Sequence, residues 1–419
     1  MNSIKGNIDA QPIRNFNVSE IRQDFPILSQ KVYGKPLVFL DTGASSQKPQ
    51  VVIDTVKNCY ETYYANVHRG AHYLSQCSTD AFEEARVAVA KFINAHSEKE
   101  IVFTSGVTES INLVAATWGK SQLRKGDEII VSEMEHHANI VPWQLLESEI
   151  GIIIKVSPVS DSGDFLMDEF EKLLTNKTKL VAITECSNVL GTIVPLKKLI
   201  EKAHSIGALV LVDGAQGIVH GKTDVQDLDC DFYGFTGHKI YGPSGIGVLY
   251  AKADILDNMP PYQGGGDMIE RVSFSGTTFK DPPYRFEAGT PPIAQAIGLK
   301  AALEYVSDLG LSQIEAHEQE LLEYGTRKLK NIRNLKLFGE AKKKAAIFSF
   351  IVNGTHPFDL AAILDRQGVA VRVGQHCAEP LMDRLSVESA VRASLGLYNN
   401  FEDIDALVFS IEKAKGLLN

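Results

Sequence analysis

The sequence predicts an α/β protein: a seven-stranded, mostly parallel sheet domain followed by a smaller α+β domain. Three observations lead there. Short β-branched runs alternate with helix-like stretches between about residues 100 and 250, and those runs are continuously apolar rather than alternating. After about residue 291 the pattern changes to amphipathic helices set among a few strands.

Taken in order, residues 1–17 lack periodicity and are expected to lie loose or wrap a partner, and 18–25 read as a short helix ended by Pro26. The strand runs follow at 101–103, 129–131, 152–156, 180–183, 208–212, 231–235 and 246–250. Such strands are buried on both faces, and ligands gather at their carboxyl ends. Residues 311–335 place Ile314, Leu321, Leu322, Leu329 and Ile332 on one stripe, which describes a long helix bridging into the second domain. A strand (346–352), a helix (358–367) stopped by Gly368, strands at 369–373 and 391–395, and a last helix with Ile404, Leu407, Val408 and Ile411 on one face complete it. The expected division is an N-terminal segment (1–30) packing on the small domain, a large domain (31–295) and a small C-terminal domain (296–419).

The chain of 419 residues is 44% hydrophobic, enough to fill such cores, and its 42 basic against 52 acidic side chains leave a net charge of −10. That balance argues against nucleic acid as a partner. No apolar run is long enough for a membrane span, and the polar start, with Lys5, Asp9 and Arg14, does not resemble a secretory signal. A cytoplasmic protein is expected. Five scattered cysteines without a CxxC pair disfavour a disulfide framework or a zinc knuckle.

Several residues at the expected carboxyl edge carry chemistry. Asp213 ends an apolar strand, where it points into the crevice, although Asp is also a favoured helix N-cap. The next strand runs into Thr236, Gly237, His238 and Lys239 at a glycine-dense turn. Desolvation there lowers a lysine pKa and favours Schiff-base chemistry, whereas most lysines are solvated. Lys239 and Asp213 together suit pyridoxal 5'-phosphate, which needs an amine and an anion beside its ring nitrogen. Ser105, Gly106, Val107 and Thr108 open a helix after the first strand and could cradle a phosphate, or simply cap the helix. Thr236 and His238 could add donors from the opposite side.

Glu135, His136 and His137 follow the second strand, and the two histidines invite a metal reading, but adjacent histidines diverge and no HExxH pattern completes a set, so no metal site is expected. An imidazole stacked on a flat ring is the better use, with a surface pair as the alternative. Asn188 could hold a ring oxygen or a carboxylate through its amide, or serve only a turn. Cys377 lies on a loop bounded by Gly374 and Pro380, where a thiol can be exposed and mobile. It is the candidate nucleophile, set against the usual fate of a buried, inert cysteine. Arg392 interrupts an apolar strand, which points to a carboxylate partner in a substrate or in the protein itself.

Together these residues resemble the class V aminotransferase-like group of pyridoxal-phosphate enzymes and, within it, the SUF-type cysteine desulfurases with the related cysteine sulfinate desulfinases and selenocysteine lyases. The match runs through 22–26, 40–41, 67–70, 135–143, 187–192, 212–216, 236–247, 264–266, 286–291, 372–380 and 392–399. The resemblance implies a fold type I homodimer that converts L-cysteine to L-alanine, leaves a persulfide on the protein, and hands the sulfur to a SUF-type thiol acceptor for iron–sulfur cluster assembly. A selenocysteine lyase or sulfinate desulfinase, working without an obligatory persulfide, is the alternative; a non-catalytic assembly scaffold is a third.

The resemblance makes Lys239 the Schiff-base lysine, Asp213 the partner of the ring nitrogen, Gln216 a donor to the ring oxygen and His136 the stacking face. It assigns the phosphate to Thr108, Thr236 and His238, with Thr290 and the stretch Gly264, Gly265 and Gly266 reaching over from the other subunit. Cys377 becomes the persulfide-forming residue, and Asn188, Arg372 and Arg392 orient the substrate. The chain departs from the SUF-type pattern at Gly43, Ser105, Val107, Glu185 (where His is common) and Gln263, while Gln375 is more like the sulfinate-desulfinase branch.

Overall fold

Each of the seven apolar runs becomes a strand of one sheet in the computed structural model, which describes residues 16–418. The strands are β1 (Ile101–Thr104), β2 (Glu128–Ser132), β3 (Ile153–Ser157), β4 (Thr178–Thr184), β5 (Leu209–Asp213), β6 (Phe232–Thr236) and β7 (Gly247–Ala251), in the spatial order β1-β7-β6-β5-β4-β2-β3. Strands β6, β5, β4, β2 and β3 are mutually parallel, and β7 is antiparallel to both its neighbours. The link from β6 to β7 spans only residues 237–246, too few for a helical crossover, so the chain turns back on itself.

Both faces of the sheet are covered. Ile129, Val131, Leu180, Ala182 and Leu211 lie in one core, while Ile130, Val181, Val210 and Val212 from the same strands lie in the other. This is the period-two alternation of a strand with apolar residues at every position. Strand β3 departs from the expected two-sided burial: Ile153 and Val156 are 44% and 50% exposed because β3 is the sheet's edge. Helices α1 (Val107–Val114) and α2 (Gly217–His220) lead away from the carboxyl ends of β1 and β5.

Helices α3 (Ile293–Leu309) and α4 (Leu311–Lys330) are broken at Gly310. The sequence pattern gave no warning of α3, whose apolar residues run nearly all round it. It also carried α4 through to 335. Instead Asn334 takes a left-handed backbone (φ 66°) and Leu335 starts a strand. A four-stranded antiparallel sheet follows, made of β10 (Leu335–Phe338), β11 (Ile347–Val352), β12 (Arg372–Gly374) and β13 (Ala390–Ser394), in the order β10-β11-β13-β12. Helices α5 (Pro357–Arg366) and α6 (Phe401–Leu418) pack on it, with Leu360, Leu364, Ile404, Leu407 and Ile411 in its core. An exposed hairpin of β8 (Ile269–Ser273) and β9 (Gly276–Phe279) precedes these elements and was not foreseen.

The single strand expected at 369–373 is two. Val369–Ala370 pairs in parallel with Val38–Phe39, and β12 joins the small sheet. The chain therefore changes sheets at Val371, which brings the N-terminal region beside the Cys377 loop. Near the start, Asn17 caps a turn of helix (Val18–Ile21) by accepting from Ser19 N at 3.1 Å, and a 3-10 turn continues it to Asp24. Phe25 is extended, as a residue before proline must be, and meets Tyr241, Tyr305 and Tyr398 edge-on. The expectation for the first stretch falls on residues 1–15, which lie outside the described residues, apart from Phe16 and Asn17. Among the described residues no helix is long and apolar enough to cross a membrane.

Candidate active site

The parallel register fixes where the chemistry collects. Asp213 ends β5 opposite Gly234 of β6, two residues before Thr236 closes that strand. The turn to Lys239 passes Gly237, where a Cβ would fall 2.7 Å from Ile246 Cγ2, so only glycine fits. Asp213 and Lys239 therefore stand at the same sheet edge, and each senses the other's charge. Burial lowers the Lys239 ammonium to about 8 against the opposing pull of Asp213, and Arg392 adds to the lowering. Asp213 is 3% exposed; burial pushes its carboxyl up while the Ala215 N–H, donating to Oδ1 at 3.0 Å, and Lys239 hold it down.

The loop after β2 is organised by Glu135, to which the sequence by itself assigned no role. Its buried carboxyl accepts from Ser132 Oγ (2.6 Å), Asn139 Nδ2 (2.7 Å) and Thr184 N (3.0 Å). Burial raises it to about 7. These bonds set the backbone of the half-buried His136, whose Nδ1 accepts from Ala138 N at 3.0 Å. Burial and the positive charge of Lys239 lower His136 to about 4, so the ring is neutral, and the acceptor role of Nδ1 leaves its proton on Nε2.

Ser105 and Gly106 also reach this edge, because Gly247 of β7 pairs with both Thr104 and Thr236. The approach is close: a Cβ on Gly247 would lie 2.4 Å from Gly106 Cα. Thr236 is buried and Thr108 is exposed at the mouth of α1. One donor of this cradle is already engaged, since Ser105 N–H donates to Glu109 Oε2 at 2.6 Å. His238 is held down to about 4 by burial and Lys239, and its carbonyl accepts from Ser46 N (3.0 Å) and Lys48 Nζ (2.9 Å). Gln216 Nε2 donates to Gly43 O at 2.7 Å, joining the Asp213 turn to the N-terminal region. Thr290 and Gly264, Gly265 and Gly266 form an exposed group of their own, in which Gly289 N donates to Gly266 O at 3.0 Å.

The small domain supplies the rest. Cys377 is exposed, and the other cysteines are buried or half-buried. His376 and Cys377 both take left-handed backbones (φ 56° and 55°), uncommon for two successive residues other than glycine. The loop is tied down at the backbone: Cys377 O accepts from His137 N (2.7 Å), His376 O from Asn188 Nδ2 (2.8 Å), and Glu379 N donates to His137 Nε2 (3.0 Å). The thiol is exposed as expected, but on an anchored loop.

Arg392 is 2% exposed and donates to Asn188 O at 2.9 Å. Its Nε is buried with no hydrogen-bond partner among the described residues. Burial lowers its guanidinium to about 10. Asp41, which the sequence reading gave no role, pairs with Arg372 at 2.8 Å and with Arg392 at 3.5 Å. So Arg392 has the internal carboxylate foreseen as one alternative, loosely held.

A buried anion, a lysine amine of lowered pKa, a neutral imidazole and a buried guanidinium with an unspent donor converge here. That donor set fits a cofactor with an aldehyde, a protonated ring nitrogen and a substrate carboxylate close by.

Comparison with known proteins agrees. The Aminotransferase class-V family matches residues 38–407. The cysteine desulfurase of Dickeya dadantii is 50% identical over 408 residues, covering 97% of this chain and 99% of the relative. The cysteine desulfurase of Synechococcus elongatus is 51% identical over 398 residues, covering 95% of this chain, which spans 64% of that longer relative. In structure, the cysteine desulfurase CsdA of Escherichia coli in its S-sulfonic acid form superposes with a TM-score of 0.90 at 40% identity, covering 97% of this chain and 100% of that one. The chain belongs to the pyridoxal-phosphate-dependent class V aminotransferase family, in its cysteine desulfurase branch.

Proposed function

We propose that the chain is a desulfurase that takes L-cysteine to L-alanine and keeps the sulfur as a persulfide on Cys377. The observation that carries this reading is the seating of the Cys377 loop on the Lys239 edge. Its carbonyl is held by the residue after His136 at 2.7 Å, and the Lys239 charge senses the thiol.

Lys239, Asp213, Gln216 and His136 would hold the ring of pyridoxal phosphate, and Thr108, Thr236 and His238 its phosphate. When bound, the cofactor withdraws electrons from the substrate α-carbon through its protonated ring. Arg392 receives the substrate carboxylate on its free Nε–H edge, with Arg372 and Asn188 on either side, so the α-carbon proton is presented to Lys239. Nζ, about half freed of its extra proton at pH 8, takes that proton and returns it. Cys377 Sγ, as thiolate, attacks the substrate sulfur. The new S–S bond forms as the carbon–sulfur bond breaks, its electron pair stays with carbon, and protonation there gives the alanine methyl group. One cysteine and one thiol thus become one alanine and one persulfide.

The persulfide would pass to a thiol acceptor of the SUF type, for iron–sulfur cluster assembly. A homodimer fits the apolar hairpin β8–β9, where Val272, Phe274 and Phe279 face outward, and would bring Thr290 and Gly264, Gly265 and Gly266 to the neighbouring site. Five free cysteines suit the reducing cytoplasm. For the segment 1–30, whose described part is 16–30, the Arg22–Asp403 pair at 2.8 Å supports packing of that described part on a small domain 296–419, with 31–295 as the large domain.

Alanine release from L-cysteine with a reductant tests the reading. Lys239→Ala and Cys377→Ala should both lose it. Full rate in Cys377→Ala, or a preference for selenocysteine or cysteine sulfinate that survives that substitution, would replace the persulfide route with direct elimination.

A further inference from the structure

Glu185 and Gly217 have no task in this chemistry, yet they are built against the turn that carries Asp213. Glu185 follows β4, and its N–H donates to Asp213 O at 2.9 Å. Its carboxyl accepts the Tyr233 hydroxyl at 2.6 Å, and that hydroxyl also meets Thr223 Oγ1 at 3.1 Å. The Tyr233 ring lies against Gly214, where a Cβ would fall 2.0 Å from Cζ. The Glu185 carboxyl lies against Gly217, where a Cβ would fall 1.9 Å from Oε2. Gly217 has no left-handed backbone to explain its lack of a side chain, so the space taken by Glu185 does. Ring and carboxyl together close over residues 214–217.

We infer that Glu185, hydrogen-bonded to Tyr233, is a positioning residue that fixes the Asp213 turn, with Gly217 as its seat. This rests on the reading of Asp213 as the anchor of the cofactor's ring nitrogen. The charge of Asp213 favours the protonated form of Glu185, and the charge of Lys239 favours the ionised form of Asp213. Burial, and then Asp213, push Glu185 up to about 7, against the Tyr233 hydrogen bond and His220. The titratable groups that face it are Asp213 from β5, Tyr233 from β6, His220 from α2, and the cysteines Cys186 and Cys230. His220 is itself held by Glu318 of α4 at 2.6 Å.

The test uses Glu185→Gln, Glu185→Ala, Gly217→Ala and the double variant Glu185→Ala/Gly217→Ala. It reads pyridoxal phosphate affinity by fluorescence on reconstitution and the circular dichroism of the bound ring. Glu185→Gln keeps the shape and an acceptor oxygen for the Tyr233 hydroxyl, so it should bind within about twofold of the unaltered protein with the same dichroic band. Glu185→Ala and Gly217→Ala should each weaken binding about tenfold, the size of one buried hydrogen bond, and change the band. The double variant should be no worse than Glu185→Ala alone, because the clash is gone. The inference is overturned if Glu185→Gln binds as weakly as Glu185→Ala, if the two losses add, or if all variants match the unaltered protein. An unaltered protein that gives no visible band with pyridoxal phosphate would instead overturn the cofactor reading itself.

Discussion

The backbone N–H of His137 donates to the carbonyl of Cys377 at 2.7 Å, so the thiol loop of the small sheet is fastened to the residue after His136 at the edge of the large one. The same histidine accepts Glu379 N on its Nε2 at 3.0 Å. Cys377 can thus be exposed to an acceptor while its backbone stays fixed relative to the Lys239 edge. His137→Ala keeps the first bond and removes the second. It should slow persulfide formation on Cys377, read by alkylation and mass spectrometry, while leaving cofactor affinity unchanged; an unaltered rate would show the anchor to be idle.

Cofactor capture should report the amine of Lys239. An ordinary lysine is fully protonated at neutral pH, with a pKa of about 10.4, whereas burial brings this one to about 8. The rate at which the apoprotein gains a visible band with pyridoxal phosphate should rise with pH, pass its half-maximum near 8 and level off about one unit higher. A rise continuing toward 10 would show a solvated amine.

Asp41 serves two arginines of unequal exposure, Arg372 at the surface and Arg392 inside. Asp41→Asn leaves a buried guanidinium without its counter-charge, and a broken buried pair costs about 3 kcal/mol or more. Urea unfolding of the apoprotein should show that loss at an unchanged slope, and a loss below about 1 kcal/mol would mean that Asn188 O alone satisfies Arg392.

Arg86 forms a fork on Glu287 at 2.6 and 2.9 Å inside the large domain, with Phe103 N donating to the same carboxylate at 2.7 Å. Removing the acid by Glu287→Ala should destabilise by about 3–5 kcal/mol. The neighbouring Glu83 adds an acid limb. Burial would raise it, but the His68 hydrogen bond and the Arg86 charge win and hold it down to about 2, below its ordinary 4.5. A depressed folded pKa contributes stability above the unfolded value, so that contribution should be complete above about 4.5 and vanish as pH falls toward 2. Glu83→Gln should flatten this part of the stability profile.

Much of the scaffold could be read from one strand type. Runs such as 208–212, short, β-branched and apolar at every position, read as strands covered on both sides, and parallel strands put their carboxyl ends, hence Asp213 and the Lys239 turn, at one edge. What escaped had weak or conflicting local signals. Helix α3 is apolar on nearly every side, so periodicity did not mark it, and the break at Val371 depends on which sheet claims each half of the segment. Glu135, Asp41 and Glu185 were visible as residues but not as partners.

Residue identity and order determined the sheet, the lysine and carboxylate pair, and the one cysteine bounded by glycine and proline, because desolvation, strand period and turn chemistry act over a few neighbours. Tertiary structure alone decided that His137 and Asn188 grip the cysteine loop, that Asp41 joins two arginines over three hundred positions away, and that Glu185 fills the space left at Gly217. Those contacts arise from chain segments distant in sequence, and no local preference of the backbone encodes which distant side chain will arrive.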